Sequence, residues 1–140
     1  MPTNIELLRT AYDAWNRDDC DGWLELCHPD LEINTSGVFP DLAPVYRGHA
    51  HAAKFWHQLR EPWETFRIDL ERYVEEGDCV LAEIRFRAKG VSGVAVDMRF
   101  CNAVRVRDGL ATELVNRRTV EEARKALRPR PQAAPSTASS

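Results

Sequence analysis

The sequence predicts an α+β domain in which a curved antiparallel sheet is covered on one face by helices. Two patterns and a size carry this expectation. Apolar residues of the N-terminal half recur at helical spacing, and from Phe66 onward apolar and polar residues alternate in successive runs of period two. The chain has 140 residues, 44% of them hydrophobic and 29% charged, which suits one domain with a sizeable core.

Asn4 is a suitable N-cap for a first helix, with Leu7, Leu8, Ala11, Tyr12, Ala14 and Trp15 behind it at helical intervals. Asn16-Arg17-Asp18-Asp19 stops it. A second short helix is expected over 20–27, with Trp23, Leu24 and Cys27 as its apolar face. His28-Pro29-Asp30 ends it, because the residue before a proline avoids the α region. Residues 31–35 read as a strand. Residues 36–48 form a Gly- and Pro-containing loop with apolar Val38, Phe39, Leu42, Val45 and Tyr46. Such a loop serves as a lid or cavity wall, or it covers the core. A third helix over 48–60 carries Ala52, Phe55, Trp56 and Leu59, and Pro62 breaks it.

Strands follow over 66–74, 80–88 and 94–106, the first two separated by a turn at Glu76-Gly77-Asp78. A hairpin spans 100–118. A two-residue turn at Asp108-Gly109 would place Glu113 on the apolar face, so a three-residue loop Arg107-Asp108-Gly109 is expected instead. That register sets Asn102 opposite Leu114 and makes Asn116 its diagonal neighbour. Thr119 caps a last short helix. The domain is expected to span 1–127, with the Pro-, Ala- and Ser-rich stretch 128–140 as a disordered tail.

Composition excludes several classes. Net charge is −3 with both signs interspersed, so no basic face for nucleic acid stands out. The cluster Arg124, Lys125, Arg128 and Arg130 suits a helix C-terminus. Met1-Pro2-Thr3-Asn4 shows no secretory signal pattern, and no apolar run approaches a membrane span. Cys20, Cys27, Cys79 and Cys101 lack metal-ligand spacing and read as reduced thiols. The expectation is a cytoplasmic protein without cofactor or metal, with no nucleic acid or membrane partner.

The informative residues are Asn102 and Asn116. Each shares a strand face with apolar residues, where an amide is costly unless something hydrogen-bonds it. A ligand or water in a cavity would do so. The strand carboxylates Asp69, Glu71, Glu83, Asp97 and Glu113 all fall on polar faces, so none is placed to act as an inward general base.

Ala14-Trp15-Asn16-Arg17-Asp18-Asp19, His28-Pro29-Asp30, Val45-Tyr46-Arg47-Gly48-His49 and Val106-Arg107-Asp108-Gly109, in this order and spacing, resemble the SnoaL-like, polyketide cyclase-like group of the nuclear transport factor 2-like superfamily. The resemblance covers about residues 4–125. It implies a cone-shaped sheet wrapped around three N-terminal helices, a central cavity for a small-molecule ligand, and often a homodimer packed sheet to sheet. It also implies cofactor-independent isomerase, cyclase or hydrolase chemistry on an apolar oxygenated substrate, or a non-catalytic ligand-binding or interaction module. Ketosteroid isomerases of this group have a helix-one tyrosine where Ala11 stands, a general-base aspartate where Thr35 stands, an oxyanion-hole aspartate where Asn102 stands, and a supporting aromatic at Trp56. The last aspartate of limonene epoxide hydrolases falls near Asn116. The candidate base is therefore His49, which shares a helical stripe with Trp56. It either faces the cavity or is a first-turn histidine that faces solvent or bonds a neighbouring backbone group. Candidate ligand contacts are Asn102, Asn116, Trp56, Trp15, Thr35, Tyr46, Ile84 and Phe86.

Overall fold

Each helix start but one is fixed by a side chain that accepts its first amides. The computed structural model describes residues 3–35, 38–39 and 42–127. Helix α1, Asn4–Asn16, is capped by Thr3 rather than Asn4: the Glu6 amide donates to Thr3 Oγ1, and the Thr3 amide donates to Glu6 Oε1 at 2.8 Å. Asp19 caps α2, Cys20–Glu25, and Thr119 caps α4, Val120–Ala126. Helix α3, Gly48–Arg60, has no side-chain cap. Helix α2 is shorter than expected. Cys27 already belongs to strand β1, Cys27–Asn34, where it pairs with Ala111.

The Asn16–Asp19 motif works as a joint. The Asn16 side chain donates to the Ile68 carbonyl at 2.9 Å and accepts from the Ile68 amide at 2.8 Å. It thereby occupies both hydrogen-bonding groups of an edge strand where another chain would otherwise pair. Asp18 takes a positive φ of 59° and accepts from the Trp56 indole, while Arg60 donates to the Trp15 carbonyl. The motif thus ties α1 to α3 and to the sheet.

The other strands are β2 (Val45–Arg47), β3 (Trp63–Glu76), β4 (Cys79–Gly90), β5 (Ala95–Arg107) and β6 (Leu110–Arg117). They form one curved sheet in the order β2-β1-β6-β5-β4-β3. All pairs are antiparallel except β1 with β6, which is parallel.

The hairpin register differs from the expectation. Asp108 and Gly109 both have positive φ, 52° and 77°, and form a two-residue turn between paired Arg107 and Leu110. This turn matches the twist of the flanking strands. The parity conflict is resolved by a bulge: Val106 pairs with Ala111, Arg105 with Glu113, and Thr112 is the extra residue. Asn102 is consequently directly opposite Asn116 rather than diagonal to it.

The sheet is also not covered on one side only. Its inner face packs Phe66, Ile68, Val80, Ala82, Ile84, Phe86 and Phe100 against α1 to α3. On its outer face a second buried cluster, Leu81, Cys101, Ala103 and Val115, is joined by Ala123 of α4. Glu113, expected on a polar face, lies on this outer face but is 7% exposed. The rest of the outer face is a lattice of ion pairs, including Arg85–Asp97, Arg99–Glu71 and Arg87–Asp69.

Candidate functional site

Between α1, α3 and the inner face of the sheet lies a cavity of about 60 Å³. That is several times the space one water needs. Helix α1 contributes Leu8, Tyr12 and Trp15, which share a helical stripe. Helix α3 contributes Phe55 and Leu59, and the sheet contributes Ile84, Phe100, Val104, Leu114 and the two asparagines. Phe39 closes one side, its ring edge-on to Phe86 and Phe100.

The polar part of this lining is a hydrogen-bonded chain. The Tyr12 hydroxyl donates to Asn102 Oδ1 at 2.7 Å, and Asn102 Nδ2 donates to Asn116 Oδ1 at 2.8 Å. The direct cross-strand pairing of the asparagines makes the second bond possible, because opposite residues of a strand pair bring their side chains into reach. The expected diagonal register would have held them further apart. All three side chains are buried. Burial pushes the Tyr12 phenol well above its ordinary range, and burial pushes the Cys27 thiol, also in the lining, up to about 12. Both stay protonated at neutral pH.

Of the sequence-predicted residues, Trp15, Ile84, Asn102 and Asn116 meet in this cavity. The others stand elsewhere. Trp56 stacks on Trp15 at 3.8 Å between ring centres, behind the lining, and Phe86 packs between Phe39, Trp63 and Phe66. These rings fill the cone rather than line the space. Tyr46 packs on Phe55, accepts from the Ala43 amide and donates to Gln58 Oε1. The Thr35 hydroxyl donates to the Ala43 carbonyl. Both serve the loop before β2. His49 is exposed, and its Nε2 donates to the Cys27 carbonyl at 2.8 Å, so it tethers α3 to β1. Asp41, an acid of the loop 36–48, lies outside the described residues.

Tyr12 is the residue that sequence reasoning passed over. It stands one position after Ala11 in the family's tyrosine region and falls on the stripe of Leu8 and Trp15. A buried phenol needs a partner, as do two buried amides. Matching those needs would have joined them. Among the described residues no group of three or more His, Cys, Asp or Glu side chains is arranged to hold a metal ion, and no helix is long and apolar enough to cross a membrane.

A curved sheet wrapped on helices around an apolar cavity that carries a short polar chain has the nuclear transport factor 2-like fold. Residues 8–114 match the SnoaL-like domain, and the chain belongs to that family. No curated protein matches it in sequence. Solved structures share the fold. TerC co-crystallised with polyporic acid is 22% identical, with a TM-score of 0.74 over 87% of this chain and 95% of that one. A nuclear transport factor 2-like protein of unknown function from Burkholderia pseudomallei is 21% identical, with a TM-score of 0.75 over 92% of this chain and 100% of that one. RV0760c from Mycobacterium tuberculosis, in complex with estradiol-17beta-hemisuccinate, is 17% identical, with a TM-score of 0.70 over 84% and 94%.

Proposed function

We propose that the protein binds a small, neutral, oxygen-bearing apolar molecule in this cavity without a cofactor. The observation that carries the reading is the Tyr12–Asn102–Asn116 chain, three buried polar groups gathered at one place in an otherwise apolar lining. Burying such groups is costly unless they are paired; Tyr12, Asn102 and Asn116 pair with one another, and a ligand oxygen would pair the amide left over at the end of the chain. The co-crystallised ligands of TerC and RV0760c, held by proteins of the same fold, support this reading.

The geometry favours binding over catalysis. Among the described lining residues the titratable groups are a phenol and a thiol whose burial keeps them protonated. Amides hold or polarise an oxygen but do not remove a proton. An isomerase, cyclase or hydrolase reading needs a base from outside this lining, and His49 is engaged with the Cys27 carbonyl instead. A homodimer packed through the charged outer face, in the cytoplasm, completes the reading. Sedimentation as a monomer at micromolar concentration overturns that part.

The test is a panel of small cyclic ketones, phenols, monoterpenoids and aromatic polyketide fragments, titrated into wild type and the double variant Asn102→Leu/Asn116→Leu. Binding to wild type that falls at least tenfold in the double variant is expected. Equal affinities for the two proteins sink the proposal. Conversion of any bound compound into product moves the protein to the catalytic alternative.

A further inference from the structure

The hydrogen-bonded chain has a direction, and that direction sets which ligand oxygen it accepts. Tyr12 donates to the Asn102 carbonyl oxygen, and the Asn102 amide donates to the Asn116 carbonyl oxygen. Asn116 is 3% exposed, it lines the cavity, and its Nδ2 has no partner among the described residues. The opposite polarity is also geometrically closed: both amides turned over, Asn102 Nδ2 donating to the phenol oxygen and Asn116 Nδ2 donating to Asn102 Oδ1. That arrangement would leave the Tyr12 O–H undonated and present the Asn116 carbonyl to the cavity. The two differ in the phenol. A phenolic oxygen delocalises its lone pair into the ring, so it donates better than it accepts. Donation by Tyr12 therefore selects the first polarity.

We infer that the free end of the chain, Asn116 Nδ2, is a hydrogen-bond donor site for a ligand acceptor oxygen of the ketone or quinone type, and that Tyr12 is the positioning residue that fixes this polarity from a distance. Tyr12 spends its own proton on Asn102 and does not offer it to the ligand. A carbonyl accepts from the Asn116 amide and brings no donor of its own. An alcohol of the same shape also accepts from Asn116, but its own O–H then points into apolar surroundings, and an unpaired buried donor is costly. Selectivity between ketone and alcohol is thus built into an uncharged site. The inference rests on the binding reading above and sharpens it to a ligand class.

Three probes of similar size separate the two: cyclohexanone, cyclohexanol and toluene. They are titrated into isotope-labelled wild type, Tyr12→Phe and Asn116→Leu, with the Asn116 side-chain amide followed by nuclear magnetic resonance. In wild type cyclohexanone is expected to bind about tenfold tighter than cyclohexanol and to shift that amide signal. In Tyr12→Phe, which keeps the ring and its packing, the ratio is expected to fall toward one while cyclohexanone still binds. In Asn116→Leu the ketone is expected to fall to the level of toluene. Equal wild-type affinities for all three overturn the polarity and leave the cavity reading standing. A ratio unchanged in Tyr12→Phe overturns the role of Tyr12. If none of the three binds wild type, the cavity reading itself falls and takes the inference with it.

Discussion

Strands β5 and β6 carry two polar cross-strand pairs three residues apart, Asn102–Asn116 on the inner face and Arg105–Glu113 on the outer. The four residues are similarly buried, 6%, 3%, 8% and 7% exposed. Burial therefore does not distinguish the pairs; charge and surroundings do. The inner pair is neutral, is fed by Tyr12, and ends in an open amide at a cavity. The outer pair is ionic, with Arg105 Nε 3.3 Å from Glu113 and Nη1 3.8 Å from Asp78. A buried charge must be matched in place, whereas a neutral amide tolerates an unfilled position that a ligand or water completes. The same hairpin thus places its ions where the structure is closed and its amides where it is open.

The largest expected effect comes from breaking the ionic pair. Arg105→Leu removes the guanidinium that faces Glu113 and should cost about 3–5 kcal/mol of unfolding free energy by denaturant titration. Arg105→Leu/Glu113→Leu should recover much of that loss, since well-packed apolar side chains often replace a buried pair without penalty. A double variant as unstable as the single would mean that the charges serve something beyond each other.

Breaking the neutral pair should cost less. Asn102→Leu orphans the Tyr12 hydroxyl and Asn116 Oδ1, with an expected loss of about 1–3 kcal/mol. Both orphans can still meet water through the cavity, which sets the effect below that of Arg105→Leu. If Asn102→Leu proves the more destabilising, the neutral pair is part of the closed core and the contrast between the faces fails.

The turn that aligns both pairs has a smaller expected effect. Gly109 holds φ at 77°, a region where a side chain is strained. Gly109→Ala should cost about 1 kcal/mol and weaken both pairs together. A change in ligand affinity without any change in stability would show that the turn acts on one face alone.

What the sequence revealed, and what it hid, follows the same physical line. Helices α1 and α3 were legible because Leu7, Leu8, Trp15, Phe55 and Trp56 recur at the helical period, and β3 to β5 because their alternation is long. The bulge at Thr112 was not, since one extra residue in a strand has no composition of its own. The parity conflict at Glu113 was visible, but a longer turn and a bulge both resolve it, and only tertiary pairing chooses. Asn102 and Asn116 stood out because amides on an apolar face need a reason. Trp56 and Phe86 did not declare their place, because a large ring that fills a cone and one that lines its space satisfy the same pattern. Tyr12 was hidden for a related reason: as part of an apolar stripe it looks like core, and its hydroxyl matters only once its partner is known.

The mildest prediction separates the faces by pH. On the outer face a hydrogen bond from Arg85 holds the Asp97 carboxyl below its ordinary range, as one from Arg99 does for Glu71 and one from Arg124 for Glu76. A carboxylate whose folded pKa is depressed contributes stability above its unfolded pKa and loses it as pH falls through the folded value. Stability should therefore be full near neutrality and decline below about pH 4. These pairs are exposed, so the decline is shallow and salt should blunt it. On the inner face Tyr12 and Cys27 are pushed upward by burial and remain protonated, so they add no charge change in the neutral range. Ligand affinity is then expected to be flat from about pH 5 to pH 9. Denaturant titrations through the acid range, beside ligand titrations from mild acid to mild base, check both halves. An affinity that titrates near neutrality would place an ionisable group at the cavity and end the contrast between a charged outer face and a neutral inner one.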